Sequence, residues 1–172
     1  KNGTLADLIE LERKGLSIPE WDDTKKLITY MEMLPVLISS LTIYSSSYLK
    51  PSNILADQFL FPKLADFGLS KDMLTKEEDC ERGKKTELLG TPIYISPEIY
   101  EENKNKAGDV YAFGLIVYEI LTSEVPAVGK ESTNNVEYNE RNEINIPPSY
   151  KKLIENCWNQ DPNQRPTFSD IV

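Results

Sequence analysis

The chain has 172 residues, of which 40% are hydrophobic and 27% are charged, as is typical of one soluble globular domain. Its formal net charge of −9 argues against a nucleic-acid or anionic-membrane partner, because both favour a basic protein surface. The sequence contains no histidine, which excludes histidine general bases and most zinc sites.

The first predicted helix covers residues 4–13, where leucine and isoleucine recur close to a helical period. Thr4 followed by Asp7 fits an N-cap with an acidic third position, and Gly15 ends the helix. Pro19 is followed by three acidic residues and predicts the first turn of a second helix, because acidic side chains favour the positive end of a helix dipole.

The apolar run at residues 33–44 is shorter than the ~20 residues that span a bilayer, so we expect no membrane partner. Short apolar runs at residues 54–56 and 61–64 flank a polar turn and predict a small hairpin. Cys80 and Cys157 lie far apart and in no metal-ligand spacing, which indicates reduced thiols. Since no signal peptide is apparent either, we expect a cytoplasmic protein.

Residues 69–92 are polar without an apolar period, which predicts a long and functional loop. Residues 110–121 are apolar nearly all round and predict a buried central helix. Residues 127–148 allow no assignment, residues 150–158 are amphipathic, and a last helix is expected from Thr167. The elements together predict a mainly α fold with one small sheet.

Five motifs follow one another along the chain: Leu49-Lys50-Pro51-Ser52-Asn53-Ile54-Leu55, Asp66-Phe67-Gly68, Gly90-Thr91-Pro92-Ile93-Tyr94-Ile95-Ser96-Pro97-Glu98, Asp109-Val110-Tyr111-Ala112-Phe113-Gly114 and Arg165-Pro166-Thr167. In order and spacing they resemble the C-terminal lobe of eukaryotic protein kinases of the Ser/Thr, tyrosine-kinase-like type. The resemblance implies that residues 1–172 form this C-lobe of the α+β kinase fold, with a catalytic loop at 46–53 and an activation segment at 66–98.

Phosphoryl transfer needs a divalent metal that bridges the nucleotide phosphates, and oxygen ligands must hold that metal. The resemblance assigns the two Mg²⁺ ligands to Asn53 and Asp66, and it adds Leu55 to the residues that bind ATP. Lys50 would contact the transferred phosphate, in a Lys-Pro-x-Asn pattern typical of Ser/Thr kinases. A protein hydroxyl would be the acceptor.

Within the activation segment, Thr75 and Thr86 are regulatory phosphorylation candidates, because an added phosphate orders such loops through basic partners. An unmodified solvated loop is the alternative for both residues. The resemblance implies that Thr91 bonds the catalytic Asp and Lys.

Three further residues have structural roles by resemblance. Glu98 and Arg165 would form a buried ion pair that links the activation segment to the last helices, and breaking such a pair is costly. Asp109 holds the backbone of the catalytic loop in the family.

The sequence differs from the family pattern because several motifs of the N-lobe are absent from residues 1–172. They contain no Gly-rich loop, no strand lysine and no paired helix Glu, so the N-lobe is expected to be missing and half of the nucleotide cleft with it. Residues 2–5 resemble those that follow the hinge between the lobes. The segment at 127–148 matches poorly where the family has a helix used for docking.

The most consequential departure is Tyr48, which stands where the family has the catalytic Asp of His-Arg-Asp. A phenol with a pKa of about 10 cannot replace a carboxylate base at neutral pH. The chain as written is therefore expected to be inactive.

Tyr44 to Tyr48 can be encoded TAT-AGT-TCA-TCG-TAC, which reads Ile-Val-His-Arg from the second base and regains Asp when one G is restored. Tyr30 to Ser40, read from the third base, can likewise give a sequence that resembles the family helix before the catalytic loop. We hypothesise that residues 29–48 are frame-shifted translation, from sequencing error or gene decay. A divergent but genuine pseudokinase helix is the alternative, although Pro35 and two serine-rich runs conflict locally with the fold.

The sequence is compatible with three hypotheses about the function. The chain belongs to an enzyme, a Ser/Thr protein kinase damaged in one helix and in its catalytic loop. Alternatively it is a pseudokinase that acts as a protein-binding module. The third reading is a decayed gene without a stable product, since an isolated C-lobe exposes the apolar surface that an N-lobe covers.

Overall fold

The computed structural model describes residues 3–16, 18–41, 49–65, 92–98, 106–125, 127–128, 136–137 and 146–171. Within these ranges the helices are α1 (Leu5–Arg13), α2 (Asp23–Leu41), α3 (Lys106–Thr122), α4 (Pro148–Cys157) and α5 (Phe168–Ile171). Short 3-10 turns occur at Pro51–Asn53, Pro92–Tyr94 and Pro162–Gln164. The expectation of a mainly helical fold is confirmed.

The strands in the described ranges form two separate antiparallel pairs. β1 (Ile54–Ala56) pairs with β2 (Pro62–Leu64), with Ile54 opposite Leu64, as the hairpin prediction required. β3 (Ala127–Val128) pairs with β4 (Val136–Glu137) in the stretch that allowed no assignment from sequence. The expectation of one sheet was therefore wrong, because two-residue strands are too short to show an alternating pattern.

The start of α1 follows the predicted cap. The Thr4 N–H donates to Asp7 Oδ2 over 2.7 Å, and the Asp7 N–H donates to Thr4 Oγ1 over 3.2 Å, which completes a capping box. Beyond the helix, Gly15 has a φ of +71°, a conformation that glycine adopts without steric cost. Leu11 does not join the buried face, since 38% of its surface is exposed.

The second helix begins at Asp23, and the expected start at Pro19 was wrong. Pro19 lies in a turn in which the Trp21 N–H donates to the Ile18 carbonyl over 2.9 Å. The Asp22 carboxylate then accepts the Lys25 N–H over 2.7 Å, which satisfies a free amide of the first helical turn. A local capping contact thus sets the boundary.

Helix α2 continues through much of the stretch that was suspected of a frame shift. Its buried side chains recur at helical spacing: Lys26, Thr29, Tyr30, Met33, Leu34 and Leu37. Pro35 is exposed within the helix, and its missing N–H leaves the Met31 carbonyl without a bond from that residue. The helix thus continues through Pro35 in the described part of the stretch, while residues 42–48 lie outside the described ranges.

Helix α3 occupies the centre of the core, as predicted, and its residues from Asp109 to Ile120 are all buried. Phe113 contacts Tyr30 of α2 and Phe168 of α5, with ring centroids 5.7 and 5.5 Å apart. Gly114 permits close approach of α4, because a Cβ there would lie 2.6 Å from the Cys157 side chain. No helix in the described part of the chain has the length and apolar character needed to cross a bilayer.

Candidate active site

The described end of the predicted catalytic loop is a tight turn. Lys50 is extended, with φ −156° and ψ 157°, and it precedes the 3-10 turn that begins at Pro51. Pro51 is buried, and the Asn53 N–H donates to the Lys50 carbonyl over 3.0 Å. The turn therefore fixes the separation of Lys50 and Asn53, whose side chains are both half-buried.

The β1–β2 hairpin brings two distant backbone positions together. Asn53 precedes β1 and Ala65 follows β2, and the Ala65 N–H donates to the Asn53 carbonyl over 2.8 Å. We call this pair the hairpin mouth. Asp66 is joined to Ala65 by one peptide bond and itself lies outside the described residues.

The sequence predicts a magnesium site near the hairpin mouth, with Asn53 and Asp66 as ligands. Mg²⁺ prefers oxygen ligands and commonly takes only one or two protein carboxylates, because water and substrate phosphates complete its octahedron. Among the described residues, no group of three or more acidic or cysteine side chains could form a closed metal cage. An Asn amide oxygen together with one carboxylate, as predicted for Asn53 and Asp66, would make an open site of this kind.

Leu55 stands on the open side of the hairpin. Its side chain is 44% exposed, whereas that of Ile54, which points to the other face of β1, is buried. The Leu55 backbone forms an antiparallel bridge with Thr4, and the Ala56 N–H donates to the Gly3 carbonyl over 3.0 Å. The exposed apolar side chain of Leu55 therefore lies close to the N-terminus of α1.

Glu98 and Arg165 form a two-pronged ion pair. Arg165 Nη1 and Nη2 donate to Glu98 Oε1 and Oε2 over 2.5 and 2.9 Å, and the two side chains are 0% and 8% exposed. Burial disfavours the charged Glu98, but the hydrogen bonds from Arg165, backbone and Ser96 outweigh it and hold the pKa below its ordinary value. The charged pair is therefore the stable form inside the core.

The same arginine joins residues 92–98 to the start of α3. Arg165 Nη1 also donates to the Ala107 carbonyl over 2.9 Å, and its guanidinium lies 5.0 Å from the Tyr111 ring centroid. A Cβ at Gly108 would come within 2.9 Å of the Ser96 hydroxyl, so the two segments pack closely. Asp109 is buried in this region, at 3% exposure.

A second polar cluster was missed by the sequence analysis. Glu119 is 5% exposed on α3, and it accepts hydrogen bonds from the Tyr94 hydroxyl over 2.5 Å and from Arg13 Nη2 over 3.2 Å. Arg13 Nε donates in addition to the Ser123 carbonyl over 3.0 Å. The Glu119 carboxylate thus connects α1, the 92–98 segment and α3. The signal in the sequence was an acidic residue within the apolar run at 110–121.

Burial dominates the ionisation of this cluster. It raises the pKa of the Glu119 carboxyl, although the donors Tyr94 and Arg13 favour the charged form. It also raises the pKa of the Tyr94 phenol, and the neighbouring Glu119 charge adds to that effect. Tyr94 consequently stays neutral and acts as a hydrogen-bond donor at physiological pH.

Several predicted site residues lie outside the described ranges. They are Tyr48, Asp66, Thr75, Thr86 and Thr91. The structure brings together Lys50 with Asn53, and Glu98 with Arg165. It describes Asp109 in the α3 region that Arg165 contacts through Ala107.

Comparison with known proteins assigns the family. The model of the protein kinase domain matches residues 1–172. The chain is similar to the dual specificity protein kinase shkD of Dictyostelium discoideum, with 38% identity over 72% of this chain and 17% of the relative. It is also similar to a protein kinase and PP2C-like domain-containing protein of Oryza sativa subsp. japonica, with 31% identity over 98% of this chain and 30% of the relative.

A third relative is the mouse (Mus musculus) ankyrin repeat and protein kinase domain-containing protein 1, with 35% identity over 72% of this chain and 18% of the relative. The chain thus spans less than a third of the length of these relatives. Members of the matched family use ATP and Mg²⁺ and act on proteins. The match over the whole length shows that the chain belongs to the protein kinase family.

Proposed function

We propose that residues 1–172 are the C-lobe of a Ser/Thr protein kinase domain, which transfers the γ-phosphate of ATP to a protein hydroxyl. The observation that carries this proposal is the hairpin mouth, because the Ala65–Asn53 bond keeps Asn53 beside the residue that precedes Asp66. Family membership supports it independently.

In this proposal Asn53 and Asp66 hold Mg²⁺, and Leu55 contacts the nucleotide. Lys50 contributes a positive charge that offsets the charge developing on the transferred phosphate. Bound metal would neutralise the phosphate oxygens. The turn at Pro51 serves this chemistry because it fixes Lys50 relative to Asn53 before substrate binds.

The remaining predicted residues regulate or support the site. Thr75 and Thr86 are proposed phosphorylation sites in the activation segment, and Thr91 bonds the catalytic residues. The ion pair between Glu98 and Arg165 anchors the end of that segment to the helical core, since both side chains are buried.

Nucleotide binding tests the proposal in the full-length protein. A fluorescent ATP analogue should bind more tightly with Mg²⁺ than with EDTA, and Asn53→Ala should weaken the Mg²⁺-dependent part by about tenfold or more. Asn163→Ala is the matched control, because Asn163 is exposed in the Pro162–Gln164 turn and is not among the predicted site residues. Equal effects of the two substitutions would refute the role of Asn53.

A pseudokinase that binds protein partners is the second proposal, and Tyr48 is the observation that favours it. Without the carboxylate base, ATP binding would not lead to efficient transfer. Phosphotransfer by the wild type and by Tyr48→Asp separates the alternatives. Activity that appears only in Tyr48→Asp supports an intact site with a lost base, whereas inactivity of both supports a binding module.

The frame-shift hypothesis for residues 29–48 has its own test. Sequencing the transcript across residues 25–55 should recover three bases, and with them the His-Arg-Asp motif. Codons that agree with the sequence as written would instead make Tyr48 a genuine feature of the protein.

A further inference from the structure

The hairpin tip contains a backbone conformation that its residue type disfavours. Leu60 has a φ of +63°, and among the described residues only it and Ser123 combine a side chain with a positive φ. A left-handed conformation brings Cβ close to the following carbonyl, so glycine or asparagine normally occupies it. Such strain persists only where the surroundings enforce it.

Two groups of contacts enforce it at Leu60. The side chain is 2% exposed and belongs to the main hydrophobic core, and the Leu60 carbonyl accepts the Thr29 hydroxyl of α2 over 3.3 Å. The turn itself is closed by Asp57, whose Oδ1 accepts the amides of Phe59 and Phe61 over 2.9 and 3.0 Å. Leu60 thus joins the tip to α2.

The hairpin needs packing against other elements, because it is too small to be stable alone. The bond from the Ala56 N–H to the Gly3 carbonyl attaches one side of it, and Leu60 attaches the tip. Each strand has three residues, and a two-stranded hairpin is marginal in water without packing against another element. A slip of one residue would also turn every side chain to the opposite face. The position of Ala65 against Asn53 therefore depends on what holds the strands in register.

We infer that Leu60 is a positioning residue. Its side chain is buried in the core and its carbonyl accepts the Thr29 hydroxyl of α2, so that it holds the hairpin tip and keeps the hairpin mouth, Asn53 and Ala65, in register. The consequence for Mg²⁺ binding rests on the proposed function, whereas the consequence for the backbone does not. Leu60 acts at a distance, since it lies at the opposite end of both strands from the mouth.

Three substitutions separate positioning from general stability. Leu60→Asn tolerates the left-handed backbone but leaves the core contact unfilled. Leu60→Met refills the same space with a flexible apolar side chain and should restore the wild-type behaviour. Phe59→Ala changes a neighbour that is 62% exposed and should have no effect at the mouth.

Amide hydrogen exchange of the full-length protein gives the readout. In Leu60→Asn the Ala65 amide should lose protection by about tenfold or more, while the amides of α3 keep theirs. Leu60→Met and Phe59→Ala should match the wild type. An unchanged Ala65 amide, or an equal loss of protection throughout α3, would overturn the inference because the residue would then have no role or a merely structural one.

Binding of the fluorescent ATP analogue adds a second measurement. If the wild type binds it in a Mg²⁺-dependent way, Leu60→Asn should weaken that part by about tenfold and leave the affinity in EDTA unchanged. If the wild type binds no Mg²⁺–nucleotide, the proposed function fails, and the Ala65 exchange still decides the role of Leu60.

Discussion

Replacing Ser123 with glycine should stabilise the protein. Ser123 follows α3 with a φ of +56°, its side chain is buried, and its hydroxyl has no hydrogen-bond partner among the described residues. The two favourable backbone contacts survive the change, because the Ser123 N–H still donates to the Glu119 carbonyl and the Ser123 carbonyl still accepts from Arg13.

Two terms favour the glycine variant, and one term opposes it. The left-handed conformation costs a non-glycine residue about 1–2 kcal/mol. An unpaired buried hydroxyl costs about 1–3 kcal/mol more. Glycine gives back about 0.4–1 kcal/mol by enlarging the entropy of the unfolded chain. We expect Ser123→Gly to raise the free energy of unfolding by about 1–4 kcal/mol, and the Tm by about 2–4 °C for each kcal/mol in a domain of this size.

Urea unfolding measures this free energy, and an unchanged m value would show that the two states remain comparable. Ser123→Ala is the matched control, since it removes the hydroxyl but keeps a Cβ in the left-handed conformation. Its gain should be smaller than that of Ser123→Gly. The assignment of backbone strain would be refuted if Ser123→Gly were no more stable than the wild type. It would also be refuted if Ser123→Ala were as stable as Ser123→Gly.

Two other predictions concern the core. Glu98→Gln should cost about 3–5 kcal/mol at neutral pH, because it leaves the Arg165 charge buried without its partner. The folded pKa of Glu98 lies below the ordinary 4.5, so this contribution is present above pH 4.5 and is lost as pH falls through the folded value. Urea titrations at several pH values should show the wild type and Glu98→Gln converging in acid, and a constant difference would contradict the pKa argument. Gly114→Ala should cost about 1–3 kcal/mol through overpacking against Cys157. Calorimetry should show recovery when Cys157→Gly is added, and no recovery would point to a different cause.

The sequence correctly predicted those secondary-structure elements that are set by contacts between residues close together in the chain. The cap at Thr4, the hairpin around Asp57 and the buried α3 each arise from residues a few positions apart, so a single sequence suffices to predict them. The predicted helix start at Pro19 was wrong for the same reason. A proline followed by acidic residues fits a first turn equally well until the Asp22 cap is seen.

The site was less accessible from sequence because its contacts are not local. Motif order pointed to Glu98 and Arg165, but only resemblance could join them, as they lie 67 residues apart. Nothing in the periodicity linked Arg13 to Glu119, and the left-handed Leu60 cannot be read from an apolar side chain. These features depend on how α1, α2 and α3 meet in three dimensions.

Tryptophan fluorescence can show whether the contact between α1 and α2 at Glu12 unfolds together with the core. Glu12 accepts both the Trp21 indole N–H over 3.0 Å and the buried Lys26 ammonium over 2.5 Å. Trp158, the other of the two tryptophans in the chain, packs against Tyr118 of α3 instead. Trp158→Phe would leave only Trp21, which reports on the contact between α1 and α2. Trp21→Phe would leave only Trp158, which reports on the core. Coincident fluorescence transitions in the two variants would mean that this contact and the core unfold as one unit.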